Sequence, residues 1–290
     1  MKPTFLLLIF ILTGGKSLLA QSKHTLTGQA IVGKLHYKFH YMPDTTRRDH
    51  ILLEDMELAF GKSESSFTSY SKKIRDSITQ KNIQKQLAAN PATPYNEVQT
   101  LLNSFSQTTH DVTYTTISKQ QIVYVGQQIA NSHYLIPDTA KAIEWTILDS
   151  TKSIQGNICQ KAMGESHGRM YTAWFCSDIP YSFGPRKLNG LPGLILEAYD
   201  HNREVVYTFN NLDYTVTNEK IEIPKNATRI TYKEYNKLYN AFKKNPATFW
   251  NNSADNGKIK FVTGVSVNTG TQGARANNVN NTNNNPIDLK

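Results

Sequence analysis

The sequence predicts an α+β fold, a curved and many-stranded antiparallel sheet with one or two packed helices. Three observations predict it. Short runs of β-branched and aromatic residues recur along the chain with turn formers between them. The gaps between many of these runs are too short for helical crossovers, so hairpins must join them and the sheet is antiparallel. Two longer stretches instead repeat their apolar residues at helical spacing.

In chain order, strands are predicted at Ala30 to Tyr41, Met56 to Phe60, Ile122 to Val125 and Ala142 to Leu148. More follow at Ile154 to Gly164, Met170 to Ser177, Leu194 to Tyr199, Glu204 to Asn210 and Tyr214 to Ile221. The first helix runs from about Lys72 to Ala89, with Ile74, Ile78, Ile83 and Leu87 among polar residues, and Asn90-Pro91 ends it. In the second, Thr231 and Glu234 form a capping box, and Tyr235, Leu238, Tyr239 and Phe242 recur on one face. Asn245-Pro246 stops this helix, and its aromatic stripe is expected to pack on the sheet and partly close it over.

The ends read differently. Lys2, an apolar run from Phe5 to Leu12 and small residues up to Ala20 make residues 1–20 a secretory signal peptide. The run, about eight residues, is too short to span a bilayer, which takes roughly twenty. Cleavage after Ala20 leaves Gln21 first, and no cysteine precedes Cys159 to carry a lipid. The mature chain, without a transmembrane segment, is expected in the periplasm or outside the cell. Residues 21–265 then form a single domain. Residues 266–290, rich in Asn, Thr and Gly, bury too little apolar surface to order themselves. The polar stretch from Pro91 to Asp111 is expected to be mobile, apart from a helical turn around Val98 to Phe105.

Among 290 residues the net charge is +9, which falls to +7 once Lys2 and Lys16 leave with the signal. The basic clusters are pairs, Arg47-Arg48, Lys72-Lys73 and Lys243-Lys244, without the aromatic interleaving of a nucleic-acid module. No nucleic-acid partner is expected, and the charge suits an anionic envelope. There is no HExxH, CxxC, Walker loop or dinucleotide fingerprint, so no cofactor is expected.

The candidate chemistry gathers between residues 156 and 197. A two-residue turn at His167-Gly168 sets a hairpin in which paired residue numbers sum to 335, placing Cys159 opposite Cys176. In an exported protein that pair reads as a disulfide. Two alternatives stand beside it. Met163, Met170 and Trp174 share the cysteines' face, so Cys159, Cys176, Met163 and Met170 could hold Cu(I), or the thiols are free. Gly164-Glu165-Ser166-His167-Gly168 spells a hydrolase nucleophile elbow, but a strand follows where a helix is needed. It is read as a hairpin turn with no catalytic residue and no base for Ser166. His36 and His40 alternate with Tyr37, Phe39 and Tyr41 and are read as a solvated face. Asp178 and Glu197 are the carboxylates expected to be enclosed, with Arg186, Lys187 or Arg203 as partners.

Gly184-Pro185 and Gly190-Leu191-Pro192-Gly193-Leu194-Ile195 form a Gly/Pro-punctuated bend running into an apolar strand. Leu191 to Leu194 suits a type II turn with Pro192 fixing φ and Gly193 at positive φ. Leu194-Ile195-Leu196 then reads as a strand covered on both faces. The loop serves folding or presents N–H groups and Arg186 to an anion.

The spelling GLPGLI at 190–195, with Gly156 to Ala162 and Ala173 to Pro180 before it, resembles the GLPGLI family of secreted Bacteroidetes proteins. That family has no established activity. Its association with genes for TonB-dependent outer-membrane transporters implies an accessory role in uptake or envelope maintenance, with an unknown ligand or envelope protein as partner. Three functions remain open from the sequence: a non-enzymatic binding or accessory protein, soft-metal handling through the cysteine hairpin, and a serine hydrolase using Ser166. Neighbouring genes, the state of the thiols and a serine-directed probe would separate them.

Overall fold

A computed structural model describes residues 26–90, 111–117, 122–130, 132–214, 218–245, 249 and 284–288, and the backbone alone of 258–260 and 266–268. The expected signal peptide at residues 1–20, the polar stretch 91–110 and residues 269–283 lie outside the described residues.

The strands are β1 (Gly33–Tyr41), β2 (Leu52–Phe60), β3 (Glu64–Ser69), β4 (Val112–Thr116), β5 (Ile122–Ile129) and β6 (Ser132–Pro137). They continue as β7 (Thr146–Ile154), β8 (Asn157–Ser166), β9 (Arg169–Cys176), β10 (Leu194–Asp200), β11 (Val205–Asp213) and β12 (Thr228–Arg229). Together they make one twelve-stranded sheet in the order β12-β6-β5-β4-β3-β2-β1-β11-β10-β9-β8-β7. Every pairing is antiparallel except β12 with β6. Irregularities at His36/Tyr37, Ile147/Thr151 and Ile195/Glu197 insert local bends and twist. A separate pair joins β13 (Lys258–Lys260) to β14 (Ser266–Asn268).

Alternation puts Leu35, Tyr37, Phe39 and Tyr41 of β1 on the core face, where they meet Met56, Leu58, Phe67, Phe175 and Tyr207. The loop between β9 and β10 folds over this face. Phe183, Leu188 and Leu191 are buried in it, and Tyr37 donates to the Ile195 carbonyl at 2.6 Å. β10 is covered on both faces, with Leu194, Ile195 and Leu196 fully buried, as its uninterrupted apolar run requires.

Several sequence expectations change here. The strand expected from Ala142 begins only at Thr146. Ile143 and Trp145 lean against Gly164, and Trp145 Nε1 donates to the Asn189 carbonyl at 2.8 Å, so the segment crosses the hairpin instead of pairing with it. At Tyr214–Ile221 the described residues show one bridge, Ala30 to Lys220, and no strand. The expectation of an unordered tail fails for residues 284–288, which pack against the body with Asn285 buried.

Helix α1 (Tyr70–Ala89) starts at Ser69, whose hydroxyl accepts from the Lys72 amide at 2.9 Å. It lies over the face that carries His36. His36 is therefore half-buried, edge-on to Tyr70 at 4.7 Å and 3.9 Å from Glu57, and His40 is half-buried too, so of this face only Lys38 is openly solvated among β1's described residues. Helix α2 (Tyr232–Lys244) has the expected capping box. None of its residues is fully buried, but Tyr235, Leu238 and Phe242 of its stripe are half-buried, so it packs at the margin of the sheet. It sits beside strand β6, where Tyr235 of the stripe meets Tyr134 edge-on at 6.4 Å and its hydroxyl lies 3.1 Å from Gln127.

Candidate functional site

The β8–β9 hairpin has the predicted register. Pairs run from Ser166↔Arg169 to Gln160↔Phe175, with His167 at φ 52 and Gly168 at φ 80 in the turn, so Cys159 and Cys176 take facing positions. The expected disulfide is not formed in the structure: both cysteines are buried free thiols. Cys159 donates to the Asn157 carbonyl at 3.6 Å. Burial, and next the neighbouring Cys176, push its thiol up to about 12.

The register also sets the thioethers apart from the thiols. Strands advance about 3.4 Å per residue, so Met163 lies roughly 13 Å from Cys159 and Met170 roughly 20 Å from Cys176. Among the described residues no group of three or more His, Cys, Asp or Glu could hold a metal ion.

Alternation sends Met163, Glu165 and Met170 to one face of the hairpin and Ser166 and Arg169 to the other. The first face floors an open cleft of about 670 Å³. Leu148, Met163 and Met170 supply its apolar surface, and Lys141, Glu144, Glu165 and His167 its polar rim. The crossing segment forms one wall: Ile143 and Trp145 turn inward against Gly164, and Ala142 and Glu144 face the cleft.

From His167 at the cleft's rim a chain of polar groups runs to the other face. Ser166 Oγ lies 2.9 Å from His167 Nδ1, and His167 Nε2 lies 2.8 Å from Asp138 Oδ2. Lys187 Nζ is 3.3 Å from the same Asp138 oxygen, 3.2 Å from His167 Nε2 and 2.8 Å from Asp288. Burial alone would raise the Asp138 carboxyl, but the His167 hydrogen bond and the Lys187 charge hold it well below the usual range. Asp288 also binds Arg186, whose other neighbour is Asp111 at 3.8 Å. Arg169, 4% exposed at its side chain, meets Asp200 at 2.6 Å and Glu204 at 3.2 Å.

The sequence reading gave Ser166 no base, and the structure corrects this. Asp138 comes from the end of β6, and nothing local in the sequence marks it as His167's partner. The arrangement is nonetheless a poor nucleophile. Ser166 is 5% exposed, points away from the cleft, and shares its histidine's far nitrogen with an ammonium that neutralises the carboxylate.

Glu197 is enclosed as expected, but its partner is Lys152, whose ammonium also sits 4.6 Å from the Trp174 ring centre. Arg203 stacks on Tyr199 instead, and Asp178 is exposed. In the signature loop Gly190 has φ 91, whereas Gly193 is absent from the positive-φ glycines, so the type II turn is not formed. The Gly193 amide instead donates to the Leu191 carbonyl at 2.8 Å, closing a three-residue turn on Pro192. Position 193 needs glycine for another reason: a Cβ there would lie 2.2 Å from the Cys176 carbonyl oxygen. Gly184 is hemmed in similarly, by Ile195 and the Leu188 carbonyl, each 2.7 Å from where a Cβ would be. Arg186, the expected anion-presenting cation of the loop, is instead enclosed against Asp288.

Among the described residues no helix is long and apolar enough to cross a membrane. Residues 164–197 match a family described as "Protein of unknown function (Porph_ging)", a Bacteroidetes-associated domain. No curated protein sequence matches the chain. Two solved structures are similar over part of their length, "Structure of PNGF-II in P21 space group" and "Structure of PNGF-II in C2 space group". Each is 14% identical with a TM-score of 0.46, and the similarity covers 72% and 71% of this chain. The chain spans about a third of the length of those proteins, 33% and 32% respectively.

Proposed function

We propose that this is an exported, non-enzymatic binding or accessory protein of the GLPGLI type, working in the periplasm or outside the cell. The observation that carries the binding role is the cleft of about 670 Å³ beside the β8–β9 hairpin. Its methionine and leucine floor suits the apolar body of a small ligand, and its rim of Lys141, Glu144, Glu165 and His167 suits a polar end. Methionine side chains adapt to varied shapes, which fits a binding surface better than a reaction centre. The signal-like N-terminus supports export, and the family resemblance supports a partner in a TonB-dependent transport system.

The test is native mass spectrometry of protein exported to the periplasm and purified without denaturation. Wild type is expected to carry a small organic ligand that Met170→Asp, altered at a half-exposed position, does not. Bare chain mass in both proteins would sink the reading. Cys159 and Cys176, free thiols in this structure, are expected to be joined in the same exported protein, since they face each other in the hairpin and an oxidising compartment favours the disulfide. Unreduced peptide mapping should find them linked, and two alkylatable thiols after denaturation would exclude it.

A second reading, a hydrolase using Ser166, is favoured by one observation, the line of hydrogen bonds from Ser166 through His167 to Asp138. Its burial and the Lys187 ammonium weigh against it.

A further inference from the structure

Residues 284–288 enter no strand pairing, yet nearly every polar group along them meets a partner in the body. The Asn285 amide donates to the Pro43 carbonyl at 3.1 Å, and its side-chain nitrogen to the Met42 carbonyl at 2.7 Å. Tyr41 donates to the Asn285 carbonyl. Arg169 reads three groups in succession: the Asn285 side chain, the Pro286 carbonyl at 2.8 Å and the Ile287 carbonyl at 3.0 Å. Ile287 borders a recess lined on its apolar side by Phe39, Met56, Phe67 and Tyr207 and otherwise by Asp111, Thr113 and Arg186. The Asp288 carboxylate lies between Arg186 and Lys187.

Two of the three cations that grip the segment have close partners elsewhere: Arg169 is held by Asp200 and Glu204, and Lys187 by Asp138, while Arg186 reaches Asp111 only at 3.8 Å. The apolar recess is likewise built from β1, β2, β3 and β11, all parts of the continuous sheet. Such a cradle keeps its shape when the segment leaves, which is the preorganisation a binding site needs. Arg186 Nε is, besides, a buried donor without an acceptor, so the site has recognition capacity its present occupant does not use.

We infer that this cradle is a peptide-binding site for a short segment with an apolar residue followed by a carboxylate, and that residues 284–288 occupy it as an internal competitor. Backbone carbonyl contacts from Arg169 and Tyr41 give affinity for a peptide main chain. The recess at Ile287 and the Arg186/Lys187 pair give selectivity for the apolar and acidic positions. The internal segment, tethered to the body, sets a threshold that an external peptide must exceed by concentration or by additional contacts. The site is separate from the cleft and stands or falls independently of it.

The experiment uses the full chain carrying Ile287→Asp with Asp288→Lys. These place a charge in the apolar recess and an ammonium against Arg186 and Lys187, and so evict the segment. A fluorescein-labelled Asn-Asn-Pro-Ile-Asp peptide, followed by anisotropy, should bind this variant at least tenfold more tightly than wild type. Peptides with alanine for the isoleucine, or asparagine for the aspartate, should each lose at least fivefold. Equal affinity for both proteins, or no saturable binding to a folded variant, overturns the inference. Should the variant fail to fold, a protease site placed within residues 269–283 of the otherwise natural chain decides. After cleavage the released segment should exchange with excess labelled peptide while the body stays folded. Unfolding on cleavage, or a segment that never exchanges, shows a purely structural strap.

Discussion

Gly168 and Gly193 stand at two turns of the same stretch of chain and owe their identity to different physics. Gly168 completes a two-residue hairpin turn at φ 80, a conformation a side chain disfavours whatever surrounds it. Gly193 needs no special φ; it is glycine because the backbone of Cys176 and Ser177 lies where a Cβ would go. The first requirement is local and readable from two neighbouring strands. The second exists only once the loop has folded over the sheet, so the same residue type conveys a turn in one place and a contact in the other.

The largest expected effect tests that contrast directly. Gly193→Ala should cost on the order of 3 kcal/mol, because the intruding methyl meets rigid backbone that cannot move aside. Gly168→Ala should cost about 1 kcal/mol, the usual penalty for a side chain in the left-handed region. Denaturant titration of both variants measures the difference, and equal losses would remove the distinction.

The next effect sharpens the comparison at the tail, where contacts also override local pattern. Asp288→Asn should lower stability by about 2 kcal/mol near neutral pH, through weakened hydrogen bonds to charged partners. In wild type, burial alone would raise the Asp288 carboxyl, but Arg186 and Lys187 hold it below the ordinary range, as His167 and Lys187 do for Asp138. Depressed values of this kind add stability that is complete above the unfolded value, about 3.9, and is lost as pH falls through the folded value. Thermal melts should therefore change little on this account between pH 5 and 8 and fall below about pH 4. A wild-type melting curve as insensitive to pH 3 as to pH 6 would contradict the assigned pairs.

Pro192→Ala should be milder, about 0.5–1 kcal/mol, since it chiefly frees the unfolded chain. A loss as large as that of Gly193→Ala would make the turn itself, not its packing, the requirement. The smallest expected effect is none at all: a fluorophosphonate probe should leave wild type unlabelled, because Ser166 is enclosed on the face opposite the cleft. Labelling that disappears in Ser166→Ala would make the hydrolase reading the leading one.

Much of the architecture was legible because it rests on short-range rules. The alternation of β1, the register of the β8–β9 hairpin, the doubly buried run of β10 and the capping box of α2 all follow from residues a few positions apart. The site was less so. The hairpin register placed Met163 and Met170 on a common face, but only the crossing segment from Lys141 to Trp145 turns that face into a cleft. The shallow packing of α2 has the same origin: amphipathic spacing states which face is apolar, not how much of it a neighbour will reach.

The sequence by itself determined the strand-rich class, the facing of Cys159 and Cys176, and the turn at His167-Gly168, because each depends on backbone preferences and on counting along adjacent strands. Only the tertiary structure decided that Asp138 meets His167, that Lys152 pairs with Glu197, and that Asp288, from a segment whose composition promised no order, lies between Arg186 and Lys187. Those partners are 29, 45 and about a hundred residues apart in the chain. A charge's partner is fixed by which surfaces the folded sheet brings together, and an ionic attraction carries no trace in the residues beside it.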